Sequence, residues 1–197
     1  MRTIQVLPYS PRWATDFQDM AAVLKRALWR EALAVEHFGS TSVPGLPAKP
    51  ILDIMVIIPD TVDAFKKIKL ALNRIGYDHE GDLGITGREA FKNRDKYAPY
   101  DMTGREWPAH YLYVCKNHAP VIVEFLAFRD YLRQNPRDAA EYGRVKIEAA
   151  QRYPHDIDGY MAYKKECAER IIQKTESLKK SVIRYLNSLD KANNMSE

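Results

Sequence analysis

The sequence predicts an α+β fold: a small mixed β-sheet packed with helices, with a helical C-terminal third. Three observations lead there. "ILDIMVII" (51–58) is apolar almost throughout, as a strand buried on both faces must be. "LAVEHF" (33–38) and "HYLYVC" (110–115) read as shorter strands beside it. After them, apolar residues recur at helical spacing to the end of the chain.

The elements follow in order. "TIQVL" (3–7) alternates and reads as a short strand or extended arm. Ser10 as cap and Pro11 in the first turn open a helix of about 20 residues. Its stripe is Trp13, Phe17, Met20, Leu24 and Leu28. The strand at 33–38 ends at Gly39, and "STSVPGLPAKP" with its three prolines is a loop. Pro59-Asp60 breaks the apolar strand. "TVDAFKKIKLALNRIG" (61–76) is an amphipathic helix stopped by Gly76. Residues 77–94 are glycine-rich, then strand-like, and residues 95–108 read as an exposed loop. "NHAPVIVEFLAFRDYLRQN" (117–135) has a β-branched start, but Val121, Phe125, Phe128 and Leu132 share a helical face, so a helix is expected. Pro136 starts the next helix, "YPHDIDGY" is a turn, and one long helix runs from about Asp156. The tail "DKANNMSE" is expected to fray. Residues 1–175 are expected to form the domain, and residues 176–197 a helical extension.

Composition bounds the function classes. With 197 residues, 46% of them hydrophobic, the chain can bury a core of ordinary size. Lys and Arg total 30 against 26 acids, and the two signs are interspersed. No basic stripe emerges, which argues against a nucleic-acid partner. Cys115 and Cys167 match no metal spacing and fit a reducing compartment. "MRTIQVLPYSPRW" lacks the apolar core of a signal peptide. No apolar run approaches the roughly 20 residues of a membrane helix. The expectation is a cytoplasmic protein with no membrane partner.

The chemistry concentrates at "HFGSTSVPGLPAKPILDI" (37–54). A glycine and small hydroxyls at a strand end let backbone N–H groups approach a phosphate. Gly39, Ser40, Thr41 and Ser42 are the phosphate-binding candidates, with Lys49 adding charge. A simple turn is the alternative. Asp53 sits in the otherwise apolar strand, and burying an unpaired carboxylate is costly. It must lie at an exposed strand end, pair with Lys49 or Arg88, or hold a metal. Arg88 could instead present its planar fork to phosphate. His37, His110 and Lys164 are further pocket candidates, and Tyr160 stands one helical turn before Lys164. Arg129 and Asp130 read as helix anchors.

The pattern of Gly-Ser, a spacer, then a strand aspartate resembles the nucleotidyltransferase superfamily. More closely, "EHFGSTSVPGLPAKPILDI", "LGITGREAF", "LAFRDYLR" and "YKKE" resemble the GrpB-like family, over the chain to about residue 175. The resemblance implies a sheet of nucleotidyltransferase type and a nucleotide or other phosphate-bearing small molecule as partner. It also implies Mg²⁺ as cofactor, with Asp53 as catalytic residue and metal ligand. The superfamily places a second acid two residues along the strand, where this sequence has Met55. A thioether is a poor magnesium ligand. Glu124 supplies a third carboxylate only if its segment is a strand. The expected function is therefore nucleotide binding, with Mg²⁺-dependent nucleotidyl transfer to an unknown acceptor as its active form. A non-catalytic module binding an anion or a partner through a degenerate metal site is the alternative. A homodimer through the apolar positions of the last helix is left open.

Overall fold

The computed structural model describes residues 3–194. Its elements are α1 (Arg12–Leu28), β1 (Ala34–Phe38), β2 (Leu52–Ile58), α2 (Val62–Arg74), β3 (Tyr77–Gly81), β4 (Glu89–Asn93), β5 (His110–Lys116), α3 (Pro120–Gln134), α4 (Pro136–Arg152), α5 (Ile157–Gln173) and α6 (Glu176–Asn194). The strands form one mixed sheet in the order β1-β2-β5-β4-β3. Only β2 and β5 run parallel. The apolar run of β2 thus occupies the interior of the sheet, between β1 and β5.

The period-2 alternation of β2 divides its side chains between two cores. Leu52, Ile54, Val56 and Ile58 pack with the stripe of α1 and with Ile68 and Leu72 of α2. Met55 and Ile57 point the other way and pack with Ile122 and Leu126 of α3 and Val182 and Leu186 of α6. Both faces are covered, so the strand carries no alternation of polarity. A third cluster joins the loop after β1, through Val43 and Leu46, to Tyr142 of α4 and Ile171 of α5.

Several expectations need correction. Pro11, not Ser10, is the N-cap of α1, with no side-chain cap. Ser10 contributes its carbonyl, which accepts the Trp13 N–H at 3.1 Å. "TIQVL" is an arm: Leu7 alone makes an isolated antiparallel bridge, to Ala48. "YDHEG" is a strand, although Asp78 and Glu80 are exposed, because it is the sheet edge and buries only one side. The loop at 95–108 buries Ala98 and Trp107, and the Trp107 indole donates to the Pro99 carbonyl at 3.0 Å.

The single long C-terminal helix is two helices. Thr175 is buried at the break, its hydroxyl donating to the Ile172 carbonyl at 2.7 Å and its carbonyl accepting from Leu178 and Lys179. Ile171 belongs to the cluster under α4, whereas Val182 and Leu186 belong to the core under β2. One straight rod could not bury both stripes. Residues 190–194 of the tail expected to fray are helical, and its last three lie outside the described residues. Among the described residues, no helix is long and apolar enough to cross a membrane.

Candidate functional site

The cleft forms where β1, β2 and β5 meet α3, α4 and α5. In register, Phe38 of β1 pairs with Asp53 of β2, and Asp53 pairs with Tyr111 of β5. Directly paired residues share a sheet face. All three therefore line one cleft of about 380 Å³. Gly39, Ser40, Thr41, Lys49, Arg88, Lys146 and Lys164 complete its polar wall.

Gly39 fixes the corner. Its φ is +68°, and a Cβ there would stand 2.0 Å from the Asp53 Oδ2. The Asp53 carboxylate thus lies against the Gly39 backbone, an approach only glycine permits. The turn that follows is braced from below. The Ser42 hydroxyl donates to the Gly39 carbonyl at 2.6 Å, and the Thr41 hydroxyl to the Ile51 carbonyl at 3.4 Å. Arg133 of α3 donates to the Ser42 carbonyl at 3.0 and 2.8 Å.

Electrostatics sets the character of the cleft. Burial raises the Asp53 carboxyl to about 6, against the opposing pull of Lys49, Lys164, Arg88 and Lys146. Burial and the neighbouring Lys164 lower the Lys146 amine to about 7, while Asp53 opposes that shift. Burial and Lys49 likewise lower Lys164. Lys146 is 2% exposed and donates to the Pro47 carbonyl. Lys164 donates to the Tyr142 hydroxyl at 3.4 Å. Arg88 lies 4.3 Å over the Tyr113 ring, and its buried Nε has no hydrogen-bond partner. Lys49 stands 5.5 Å over the Tyr160 ring. Four cationic side chains thus act on one carboxylate, within walls of tyrosine and phenylalanine.

The structure brings together Gly39, Ser40, Thr41, Lys49, Asp53, Arg88 and Lys164 of the sequence candidates. It does not bring His37, Ser42 or His110 to the cleft. His37 faces α1, stacked on Phe17 with centroids 4.6 Å apart, and its Nε2 is 3.0 Å from the Thr41 hydroxyl. Burial and then Arg133 and Arg129 hold His37 down at about 3. It lines a separate hollow, with Ser42. His110 is buried on the α2 face, its Nε2 2.7 Å from the Tyr77 hydroxyl and its Nδ1 2.8 Å from the Pro108 carbonyl. Arg129 is an anchor, donating to Glu36 at 2.7 Å and to the His37 carbonyl at 3.0 Å.

Lys146 is the functional candidate the sequence reading missed. The available signal was a lysine on the apolar stripe of α4, four residues after Tyr142. Two metal-binding expectations also meet the structure. Met55 is fully buried in the core under α3 and α6, far from serving as a second ligand. Glu124 lies on the exposed side of helix α3, not on a strand, although it reaches the cleft wall. Among the described residues, no group of three or more His, Cys, Asp or Glu is placed to hold a metal ion. Asp53 amid four cations, with exposed Glu124 as the other carboxylate at the cleft wall, does not fit a two-ion site.

The five-stranded mixed sheet and its covering helices have the fold of nucleotidyltransferase structures. The Cid1 poly(U) polymerase, in its MgGTP-bound crystal structure, shares that fold with a TM-score of 0.52. The match covers 74% of this chain and 45% of that one at 17% identity, a likeness of fold alone. Within that class the chain belongs to the GrpB family: the family described as GrpB protein matches residues 3–174. The crystal structure of the conserved protein GrpB from Enterococcus faecalis matches with a TM-score of 0.70 and 35% identity, over 86% of this chain and 98% of that one. The UPF0157 protein PA4798 of Pseudomonas aeruginosa is 36% identical over 169 residues, 86% of this chain and 66% of its own length. The UPF0157 protein YqkA of Bacillus subtilis is 31% identical over 165 residues, 84% of this chain and 45% of its own length. The chain thus spans less than two thirds of either curated relative.

Proposed function

We propose that this chain binds a phosphate-bearing small molecule, a nucleotide foremost, in the cleft around Asp53. The observation that carries the proposal is the convergence of Lys49, Arg88, Lys146 and Lys164 on a cleft of about 380 Å³. Ligand pockets of a few hundred Å³ suit molecules of nucleotide size. A phosphate entering here relieves the mutual repulsion of the lysines. It also meets backbone N–H groups at the turn that begins with Gly39, and the guanidinium of Arg88, whose Nε has no partner within the protein.

Buried Met55 in place of a second acid favours binding over two-metal transfer. Mg²⁺ enters this reading only as an ion carried in by the phosphates and resting on Asp53. Nucleotidyl transfer that depends on that ion is the rival. Both are tested by thermal melting with nucleoside triphosphates and pyrophosphate, in Mg²⁺ or in EDTA, on wild type and Asp53→Asn. A ligand that binds only the native state raises the melting temperature. The expected result is a shift that persists in EDTA and survives Asp53→Asn. A shift seen only with Mg²⁺ and lost in Asp53→Asn would establish the rival. No shift with any phosphate ligand would overturn the proposal.

A further inference from the structure

The phosphate cleft does not end at Asp53. A second chamber of about 260 Å³ opens beside it, and Lys49, Ile51 and Tyr111 line both. Its other walls come from Thr3, Ile4 and Gln5 of the N-terminal arm, from Pro50 and from Ile157 at the start of α5. The arm is held in place at both ends. The Ile4 N–H donates to the Pro154 carbonyl at 2.8 Å, and Leu7 and Ala48 exchange backbone hydrogen bonds at 2.8 and 2.9 Å. This explains why an arm outside the sheet keeps a defined course.

The two chambers differ in chemistry. The first is rich in cations, whereas Lys49, at the junction, is the only charged residue lining the second among the described residues. The second offers apolar surface together with the hydroxyl of Thr3 and the amide of Gln5. Tyr111 stands between them as the direct strand neighbour of Asp53. The Tyr113 ring is covered by Arg88, but Tyr111 keeps 46% of its surface exposed. A large aromatic ring left open on an interior strand, at the seam of two cavities, is placed to stack on a flat, uncharged group.

We infer that the second chamber is a nucleoside subsite, with Tyr111 as the stacking platform for the base of a nucleotide whose phosphates lie among Lys49, Arg88, Lys146 and Lys164. The inference rests on the phosphate reading above and adds the part of the ligand that the cations do not recognise. Tyr111 supplies sequence-tolerant stacking, because every base has a π-face. Gln5 and Thr3 supply hydrogen-bonding groups of the kind that read a base edge.

Calorimetric titration of pyrophosphate and of ADP, both in EDTA, separates the two parts of the ligand. Wild type is expected to bind ADP more tightly than pyrophosphate. Tyr111→Ala is expected to weaken ADP about tenfold or more, as loss of one base stack does, and to weaken pyrophosphate far less. Tyr111→Phe, which keeps the ring, is expected to retain the wild-type ratio. If wild type binds both ligands equally, or Tyr111→Ala weakens both equally or neither, the subsite is overturned while phosphate binding stands. If wild type binds neither ligand, the phosphate reading falls and the subsite falls with it.

Discussion

Replacing Asp53 by Asn should make the protein more stable at neutral and alkaline pH. Burial outweighs the surrounding cations and lifts the carboxyl from 3.8 to about 6. The folded state therefore binds this proton more tightly than the unfolded state does. Between pH 3.8 and about 6 the folded form holds more protons, so stability falls as pH rises through that window. Above it, the ionised carboxylate destabilises the fold by a constant amount. At 1.36 kcal/mol per unit, that amount is roughly 3 kcal/mol. Asparagine has nearly the same shape and no charge, so it removes the penalty. For a chain of this size the gain corresponds to a melting temperature raised by roughly 6–12 °C at pH 8. At pH 5 only about half of the gain remains, because wild type is by then mostly protonated in the fold. Urea unfolding of both proteins at pH 8 and pH 5 measures it. An Asp53→Asn variant less stable than wild type at pH 8, or gaining equally at both pH values, would refute the reasoning. The first result would make the carboxylate the favourable partner of an ion pair.

Other expectations follow from the same geometry. Gly39→Ala forces a Cβ onto the Asp53 carboxylate at a positive φ, and should lose at least about 2 kcal/mol in urea unfolding. Adding Asp53→Ala should return part of that loss, since the two residues are in contact. Lys146 titrates in the fold at about 7 and in the unfolded chain at 10.5, so the unfolded state binds more protons between them. Wild-type stability should therefore rise with pH across that window by more than that of Lys146→Met, compared by denaturant midpoints at pH 7 and pH 9.5. Met55→Asp puts a charge into a fully buried core and should cost more than about 3 kcal/mol without creating Mg²⁺ affinity, read by circular dichroism and calorimetry. His37→Phe should leave pyrophosphate affinity unchanged in the same titration, because the ring faces α1 and not the cleft.

What was legible in the sequence has a physical boundary. Strands buried on both faces and capped helices announce themselves locally, and β2 and α2 stand where the pattern puts them. Edge strand β3 does not, because Asp78 and Glu80, two of its five residues, face water. The split between α5 and α6 was hidden because both halves carry apolar stripes and only the tertiary arrangement decides which core each one meets. The site divides in the same way. Gly39 and Asp53 could be found from residue type alone. Which of His37 and Phe38, or of His110 and Tyr111, faces the cleft depends on strand register, and a shift of one residue exchanges the two sides. Residue chemistry favours the histidines, but the register turns both of them toward the α1 and α2 side. Lys146 was missed because a lysine within an apolar stripe looks like a helix-surface residue until a cavity opens beneath it.

The order of strands in the sheet also bears on how the chain is made. β2 ends at Ile58, but its parallel neighbour β5 starts only at His110. At about 5–20 residues per second, a ribosome takes several seconds to deliver the missing strand. During that interval one side of β2, seven residues long and almost wholly apolar, presents unpaired N–H and C=O groups. Such an edge is a template for pairing with another nascent chain. The β1 hairpin partner and α1, both synthesised earlier, can shield only the opposite side and one face. Yield in a cell should therefore depend more on what covers residues 52–58 during translation than on the stability of the finished fold.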